Sequence, residues 1–70
     1  MIVKFDKALY SYRAIRQAII DYSSVADIDI IDSDDSFICS INKSRYDMGV
    51  TKLEFSNYVL NLSVMSEKTL

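Results

Sequence analysis

The sequence contains no histidine and a single cysteine among its 70 residues. Without histidine, the chain lacks the commonest zinc ligand and the commonest general base. One cysteine cannot form an internal disulfide, and an unpaired thiol is typical of a reducing compartment, so we expect a cytoplasmic protein. No apolar run approaches the roughly 18 residues of a membrane span, and the N-terminus lacks a signal-peptide core. These absences argue against a zinc enzyme, a disulfide-stabilised fold and a membrane protein.

The charge balance argues against nucleic-acid binding. Ten acidic and eight basic residues give a net charge of −2 and a pI near 4.8. Binding through phosphate neutralisation normally requires a basic stripe, and the basic residues here never form a run. Half of the residues are apolar, which is typical of a folded chain rather than a disordered one.

The length of the chain predicts one small domain that needs a partner. A chain of this size buries only about 60% of the surface that its unfolded form exposes, so its core is marginal. Small folds usually compensate with disulfides, a structural metal or a partner, and only the partner remains here. We therefore expect residues 1–70 to form a single domain, with residues 65–70 as a frayed tail, and to bind another protein or a second copy.

Local patterns predict the order strand, helix, strand, strand, helix. Apolar and β-branched residues mark the first strand, and helical spacing behind Ser11, a good N-cap, marks the first helix. Two alternating runs joined by a polar turn predict a hairpin. The last helix has apolar residues at helical spacing and contains no Pro and no Gly. The predicted elements are residues 2–5, 12–25, 26–30, 36–42 and 50–65.

This order predicts an α+β fold, a two-layer sandwich in which two helices cover one face of a three-stranded sheet. The first strand–helix–strand unit should cross over right-handed. We expect the first strand to pair antiparallel with the third, in a split arrangement like a truncated ferredoxin-like fold. The first and second strands then form the two edges of the sheet.

The last helix carries apolar residues on two sides, whereas an ordinary surface helix has one apolar face. Leu53, Leu60 and Val64 share one side, with Val50 at its margin. We predict that this side faces the core and that the opposite side binds a partner, because each large side chain left in water forgoes roughly 1.5–3 kcal/mol of burial. The alternative is that the first helix covers one side and the sheet the other. The predicted partner-binding residues are Phe55, Tyr58, Val59, Leu62 and Met65.

No group of residues predicts catalysis, a cofactor site or a metal site. Cys39 has apolar neighbours and no histidine to activate it, so a buried core thiol is expected. The aspartates around the predicted hairpin lack the glycine-turned spacing of a calcium loop, and outward strand positions running into a polar turn explain them. Those aspartates are Asp27, Asp29, Asp32, Asp34 and Asp35.

The stretch Phe55-Ser56-Asn57-Tyr58-Val59-Leu60 resembles the [Leu/Phe]-Asn-Asp-Tyr-x-Leu signature of the small His-Xaa-Ser system protein family HxsD. The upstream layout is similar as well: an apolar strand, a Tyr-Ser entry to a helix at Tyr10 and Ser11, and an alternating hairpin. The resemblance implies a non-catalytic role beside radical S-adenosylmethionine enzymes that modify a ribosomally made precursor peptide. A protein in that role would bind the maturase, the precursor's leader peptide, or both.

An extended leader peptide is predicted to add to the sheet beside the first strand. Asp27 and Asp29 place charge on the opposite edge, which discourages strand addition there. The predicted peptide-edge residues are Ile2, Val3, Phe5 and Tyr10. The alternative function is a small homodimeric structural domain whose last helix pairs with that of its twin.

Overall fold

The computed structural model describes the backbone of residues 1–68 and the side chains of residues 1–65. It confirms the α+β class and the predicted order of elements. The elements are β1 (Ile2–Asp6), α1 (Tyr12–Asp21), β2 (Ala26–Asp32), β3 (Ser36–Ser44) and α2 (Met48–Lys68).

β3 is the central strand of the sheet, which has the order β1-β3-β2. β1 and β2 each pair antiparallel with β3 and therefore run parallel to each other. This is the expected split arrangement, with β1 and β2 at the edges. A short polar turn closes the β2–β3 hairpin, and the Ser33 N–H donates to the Ser36 carbonyl at 2.9 Å. The sheet topology thus agrees with the prediction from sequence.

α1 begins where its cap predicts and ends earlier than its spacing predicts. The Ser11 hydroxyl accepts a hydrogen bond from the Ala14 N–H at 3.0 Å, as an N-cap should. The helix ends at Asp21, with Tyr22 as its C-cap, instead of continuing to Val25. The Tyr22 carbonyl accepts from the Val25 N–H at 2.8 Å in the turn that leads into β2. Two consecutive serines, which favour turns over helix interiors, account for the early end.

The core lies between the two helices and one face of the sheet. The Phe55 ring stands edge-on to Phe5 and Tyr22, with centroids 6.1 and 5.5 Å away. On the other face of the sheet Ile2 and Ile31 are exposed. The buried apolar cluster comprises Val3, Phe5, Ile15, Ala18, Ala26, Ile28, Phe37, Cys39, Ile41, Phe55 and Val59.

α2 begins two residues before its predicted start, because Asp47 caps it. The Asp47 carboxylate accepts from the Val50 N–H at 3.1 Å. Thr51 is buried in the first turn, and its hydroxyl lies 2.6 Å from that of Ser44 at the end of β3. The helix continues to Lys68, so the predicted tail is helical over residues 65–68. Residues 69–70 lie outside the part of the chain that the structure describes.

Candidate binding surfaces

α2 is apolar on two sides, as its sequence predicts, but the side that faces the core is the one predicted to bind a partner. Phe55 and Val59 are 0% exposed, whereas Leu53 and Leu60 are 63% and 45% exposed. The expectation that Leu53 and Leu60 face the core is therefore wrong. The aromatic cluster favours this orientation, since the Phe55 ring stands edge-on to Phe5 and Tyr22, and a leucine could not form these ring contacts.

Two of the remaining predicted partner residues, Tyr58 and Leu62, lie between α2 and α1. Tyr58 is half-buried, and its hydroxyl donates to the Asp21 carboxylate at 2.5 Å. This hydrogen bond raises the pKa of Tyr58 above its ordinary value. Leu62 is half-buried beside Arg13 and lines a shallow groove of about 300 Å³. Only Met65 of the predicted set is exposed.

The apolar surface that α2 presents to solvent is formed by Val50, Leu53, Leu60 and Val64, here called the outer stripe. All four are among the exposed large hydrophobic residues. Asn57 lies in the middle of the stripe and is exposed too. Sequence reasoning missed this assignment, although one signal was present: exposed charged and amide residues, such as Glu54 and Asn61, flank this side of the helix.

The backbone of β1 has one edge free for hydrogen bonding. The Ile41 N–H donates to the Met1 carbonyl at 2.8 Å, and the Lys7 N–H donates to the Asp35 carbonyl at 3.0 Å. Hydrogen-bonded pairs alternate along an antiparallel ladder, so the odd-numbered residues Val3 and Phe5 also form backbone hydrogen bonds with β3. The N–H and C=O groups of Ile2 and Lys4 then point away from the sheet. No strand within the described residues lies beyond β1.

The side chains of the predicted peptide-edge residues lie on both faces of the sheet. Val3 and Phe5 point into the core and are buried, while Ile2 is exposed on the open face, beside Lys4. Tyr10 is half-buried, and its ring stands edge-on to Phe5 at 5.0 Å between centroids. Ile2 and Lys4 therefore supply the exposed side chains of this edge, and Tyr10 closes its far end against the core.

The other edge of the sheet, β2, is protected in several ways. Its pairing with β3 is interrupted by an irregularity between Asp27 and Ile28, and a bulge twists an edge away from added strands. Asp27 and Asp29 are exposed, and the Asp29 carboxylate accepts from the Asn42 side-chain amide at 2.8 Å. The placement of charge on this edge agrees with the prediction from sequence.

A cleft of about 570 Å³ lies between the β1–α1 connection and the turn end of the hairpin. Lys7 forms an ion pair with Asp32 across it, and its ammonium lies 5.2 Å from the centre of the Phe37 ring. Sequence reasoning did not anticipate this cleft, because it depends on how distant elements meet. Its lining residues are Lys7, Tyr10, Ser11, Tyr12, Ile30, Asp32 and Phe37.

Cys39 is completely buried at the centre of the sheet, as predicted. Burial raises the pKa of its thiol to about 11, so the thiol is protonated at neutral pH and is a poor nucleophile. Among the described residues, no cluster of acidic or cysteine side chains has the arrangement of a metal site. Within the same residues, the helices are too short or too polar to cross a membrane.

Comparisons of this chain with protein-family models, with curated proteins and with solved structures each found no match.

Proposed function

We propose that this chain is a non-catalytic binding protein of ribosomal peptide modification, which holds an extended precursor leader at the free edge of β1. The observation that carries the proposal is the contrast between the edges of the sheet. β1 offers unpaired backbone groups at Ile2 and Lys4, whereas β2 is bulged and acidic. Strand addition supplies affinity through backbone hydrogen bonds and leaves side chains to supply selectivity.

The exposed side chains of this edge define the peptide that fits it. On the open face, Lys4 attracts a carboxylate, and Ile2 offers an apolar contact two residues away. Successive residues of a strand point to opposite faces, so residues of the peptide on that face recur with period two. The edge therefore favours a short segment in which an acidic and an apolar residue are separated by one position.

A radical S-adenosylmethionine maturase is the enzyme that such a complex would serve, as the resemblance to the HxsD family implies. In this arrangement the small protein delivers the leader and the enzyme performs the chemistry. The protonated, buried Cys39 is consistent with a binding role, since it leaves the chain's only thiol unreactive at neutral pH.

Titration of isotopically labelled protein with the leader segment of the precursor peptide tests the proposal. We expect backbone amide shifts at Ile2 and Lys4 and at their neighbours in β1. Two leader peptides should be compared, one N-methylated at the odd-numbered residues of the bound segment and the other at the even-numbered residues. We expect one of them to bind normally and the other to lose binding, because only alternate N–H groups face β1. Shifts confined to the hairpin turn, or equal binding by both methylated peptides, would refute strand addition at β1.

Two substitutions at Lys4 separate the contribution of charge from that of the backbone. Lys4→Gln removes the charge and keeps the outward N–H, whereas Lys4→Pro removes both. The N–H of Lys4 faces away from β3, so proline should leave the ladder intact, as edge positions allow. We expect Lys4→Gln to weaken binding modestly and Lys4→Pro to abolish it, with both variants folded by circular dichroism. Equal effects of the two variants would mean that the backbone edge does not take part.

The alternative function, a small homodimeric structural domain without a peptide role, is supported by the exposed outer stripe of α2. Purification of the chain from cells that carry the maturase distinguishes the two functions. Co-purification of the maturase and the precursor favours the peptide role. A homodimer that retains neither of them favours the structural one.

A further inference from the structure

The outer stripe follows the spacing of a two-stranded coiled coil. Val50, Asn57 and Val64 recur every seven residues, and Leu53 and Leu60 follow three residues after the first two of them. In heptad terms, valine occupies the a positions and leucine the d positions, with one asparagine at the central a position. We propose that a second copy of this chain packs along the outer stripe, with the two α2 helices parallel and their Asn57 side chains facing each other.

The identity of each residue favours this occupant. A β-branched residue at a and leucine at d are the combination that selects two parallel strands over three or four. A single polar asparagine at an a position fixes register and oligomeric state, because it finds a hydrogen-bond partner only in its own counterpart. In an antiparallel pair, Asn57 would instead face Leu53 or Leu60, and its amide would be buried without a partner.

The flanks of the stripe are electrostatically compatible with a second copy. The exposed or half-buried side chains beside the a and d positions are Glu54, Ser56 and Asn61, so a parallel pair brings no two like charges of these flanks directly together. The Ser56 hydroxyl is already engaged, since it donates to the Lys52 carbonyl at 2.8 Å. Polar, largely uncharged flanks are what a chain of net charge −2 needs in order to meet its own copy.

The size of the stripe sets the strength of the association. From Val50 to Val64 it is about 21 Å long, and a helix is about 10 Å wide. A contact of that size belongs to the small, reversible interfaces that bury less than about 1,200 Å² in total. Isolated coiled coils need more heptads, but α2 is already folded against the sheet and pays no helix-nucleation cost on pairing. We therefore expect a concentration-dependent dimer. This inference concerns a different surface from the β1 edge, so either proposal can fail alone.

Sedimentation equilibrium of the isolated chain measures this dimer and its dependence on Asn57. Asn57→Asp would place two carboxylates together, and we expect at least a tenfold increase in the dissociation constant. Asn61→Asp is the matched control, because it makes the same chemical change on the same helix at the rim of the interface. We expect it to change the dissociation constant less than threefold. A monomer at millimolar concentration, or equal effects of the two variants, would overturn the proposal.

Cysteine cross-linking determines the orientation of the helices. In a Cys39→Ala background, Val50→Cys should form a disulfide-linked dimer on mild oxidation, because a parallel pair brings these positions within disulfide reach. An antiparallel pair in which Asn57 faces Leu53 would separate them by about 15 Å, and would instead cross-link Val50→Cys to Leu60→Cys in a mixture of the two variants. Cross-linking only in that mixture would overturn the parallel arrangement. Asn57→Val should retain the dimer and add higher oligomers, while an unchanged dimer without them would show that Asn57 does not set the oligomeric state.

Discussion

The two apolar sides of α2 are similar in composition and opposite in environment. One carries Phe55 and Val59, which no solvent reaches, and the other carries Leu53 and Leu60, which are about half exposed. Hydrophobicity alone does not distinguish them. What distinguishes them is shape. The aromatic ring of Phe55 packs edge-on against Phe5 between the helix layer and the sheet, and a leucine has no ring with which to form that contact.

Small polar residues at the ends of the buried side complete the explanation. Thr51 and Ser63 lie on the same side of α2 as Phe55 and Val59, and both are buried. Short side chains let the helix approach the sheet closely, and the Thr51 hydroxyl meets that of Ser44 on β3. A count of apolar residues therefore underestimates how completely this side is buried. The lesson is that an internal helix face is defined by fit and by satisfied polar groups as well as by apolar count.

The largest difference between the two sides should appear when each is truncated. Phe55→Ala empties a fully buried site, and we expect a loss of about 3–5 kcal/mol in the free energy of unfolding. A domain of this length has a total stability of roughly 4–10 kcal/mol, so the variant should be partly unfolded at room temperature. Leu53→Ala should cost less than about 1 kcal/mol, because its side chain is mostly exposed.

Urea unfolding followed by circular dichroism measures both variants, at a concentration low enough to keep the chain monomeric. The fully buried Val59 and the exposed Leu60 offer a second pair for comparison, at consecutive positions of the helix. If Leu53→Ala proved as destabilising as Phe55→Ala under these conditions, the assignment of the two sides would be incorrect.

Much of the fold follows from the sequence because local signals are strong there. The alternation in the hairpin and the capping serine before α1 each reflect a short-range rule, and the structure obeys both. The choice of side on α2 was not predictable in the same way. It depends on a contact between distant residues, that of Phe55 with Phe5.

The candidate binding surfaces also differ in how far the sequence alone predicts them. The β1 edge could be located from the order of the strands, since a first strand that pairs only with the third must lie at an edge. The outward direction of the Lys4 backbone required the register with β3. The cleft beside Lys7 arises only where the β1–α1 connection meets the hairpin, so no stretch of sequence marks it.

The dependence of stability on alkaline pH should show whether solvent is excluded from the core that α2 covers, because this core contains the Cys39 thiol. Burial raises the pKa of Cys39 from an ordinary 9.0 to about 11. Between pH 9.0 and about 11, the thiol of the folded chain keeps its proton, whereas the thiol of the unfolded chain loses it. The free energy of unfolding therefore falls as pH rises through this interval. The loss is up to about 1.4 kcal/mol for each pH unit in that interval.

Urea unfolding at a series of pH values from 7 to 11 compares the native chain with Cys39→Ala. The variant lacks the titrating thiol, so its stability should decline less steeply above pH 9. Parallel curves for the two proteins would mean that solvent reaches Cys39 and that the layer between α2 and the sheet is not closed.

The smallest expected effects come from the two polar residues at the ends of the buried side, and they should have opposite signs. The Ser63 hydroxyl is buried and has no hydrogen-bond partner among the described side chains and backbone. Ser63→Ala removes that unpaired group and substitutes a better helix former, so we expect a gain of about 1 kcal/mol in the free energy of unfolding. Thr51→Val is the matched counterpart, because it preserves shape but removes the partner of the Ser44 hydroxyl, and it should cost about 1 kcal/mol. Thermal and urea unfolding of both variants at pH 7 measure the two changes. A loss of stability on Ser63→Ala would show that its hydroxyl is paired in solution, and that polar bonds hold α2 to the sheet at both ends.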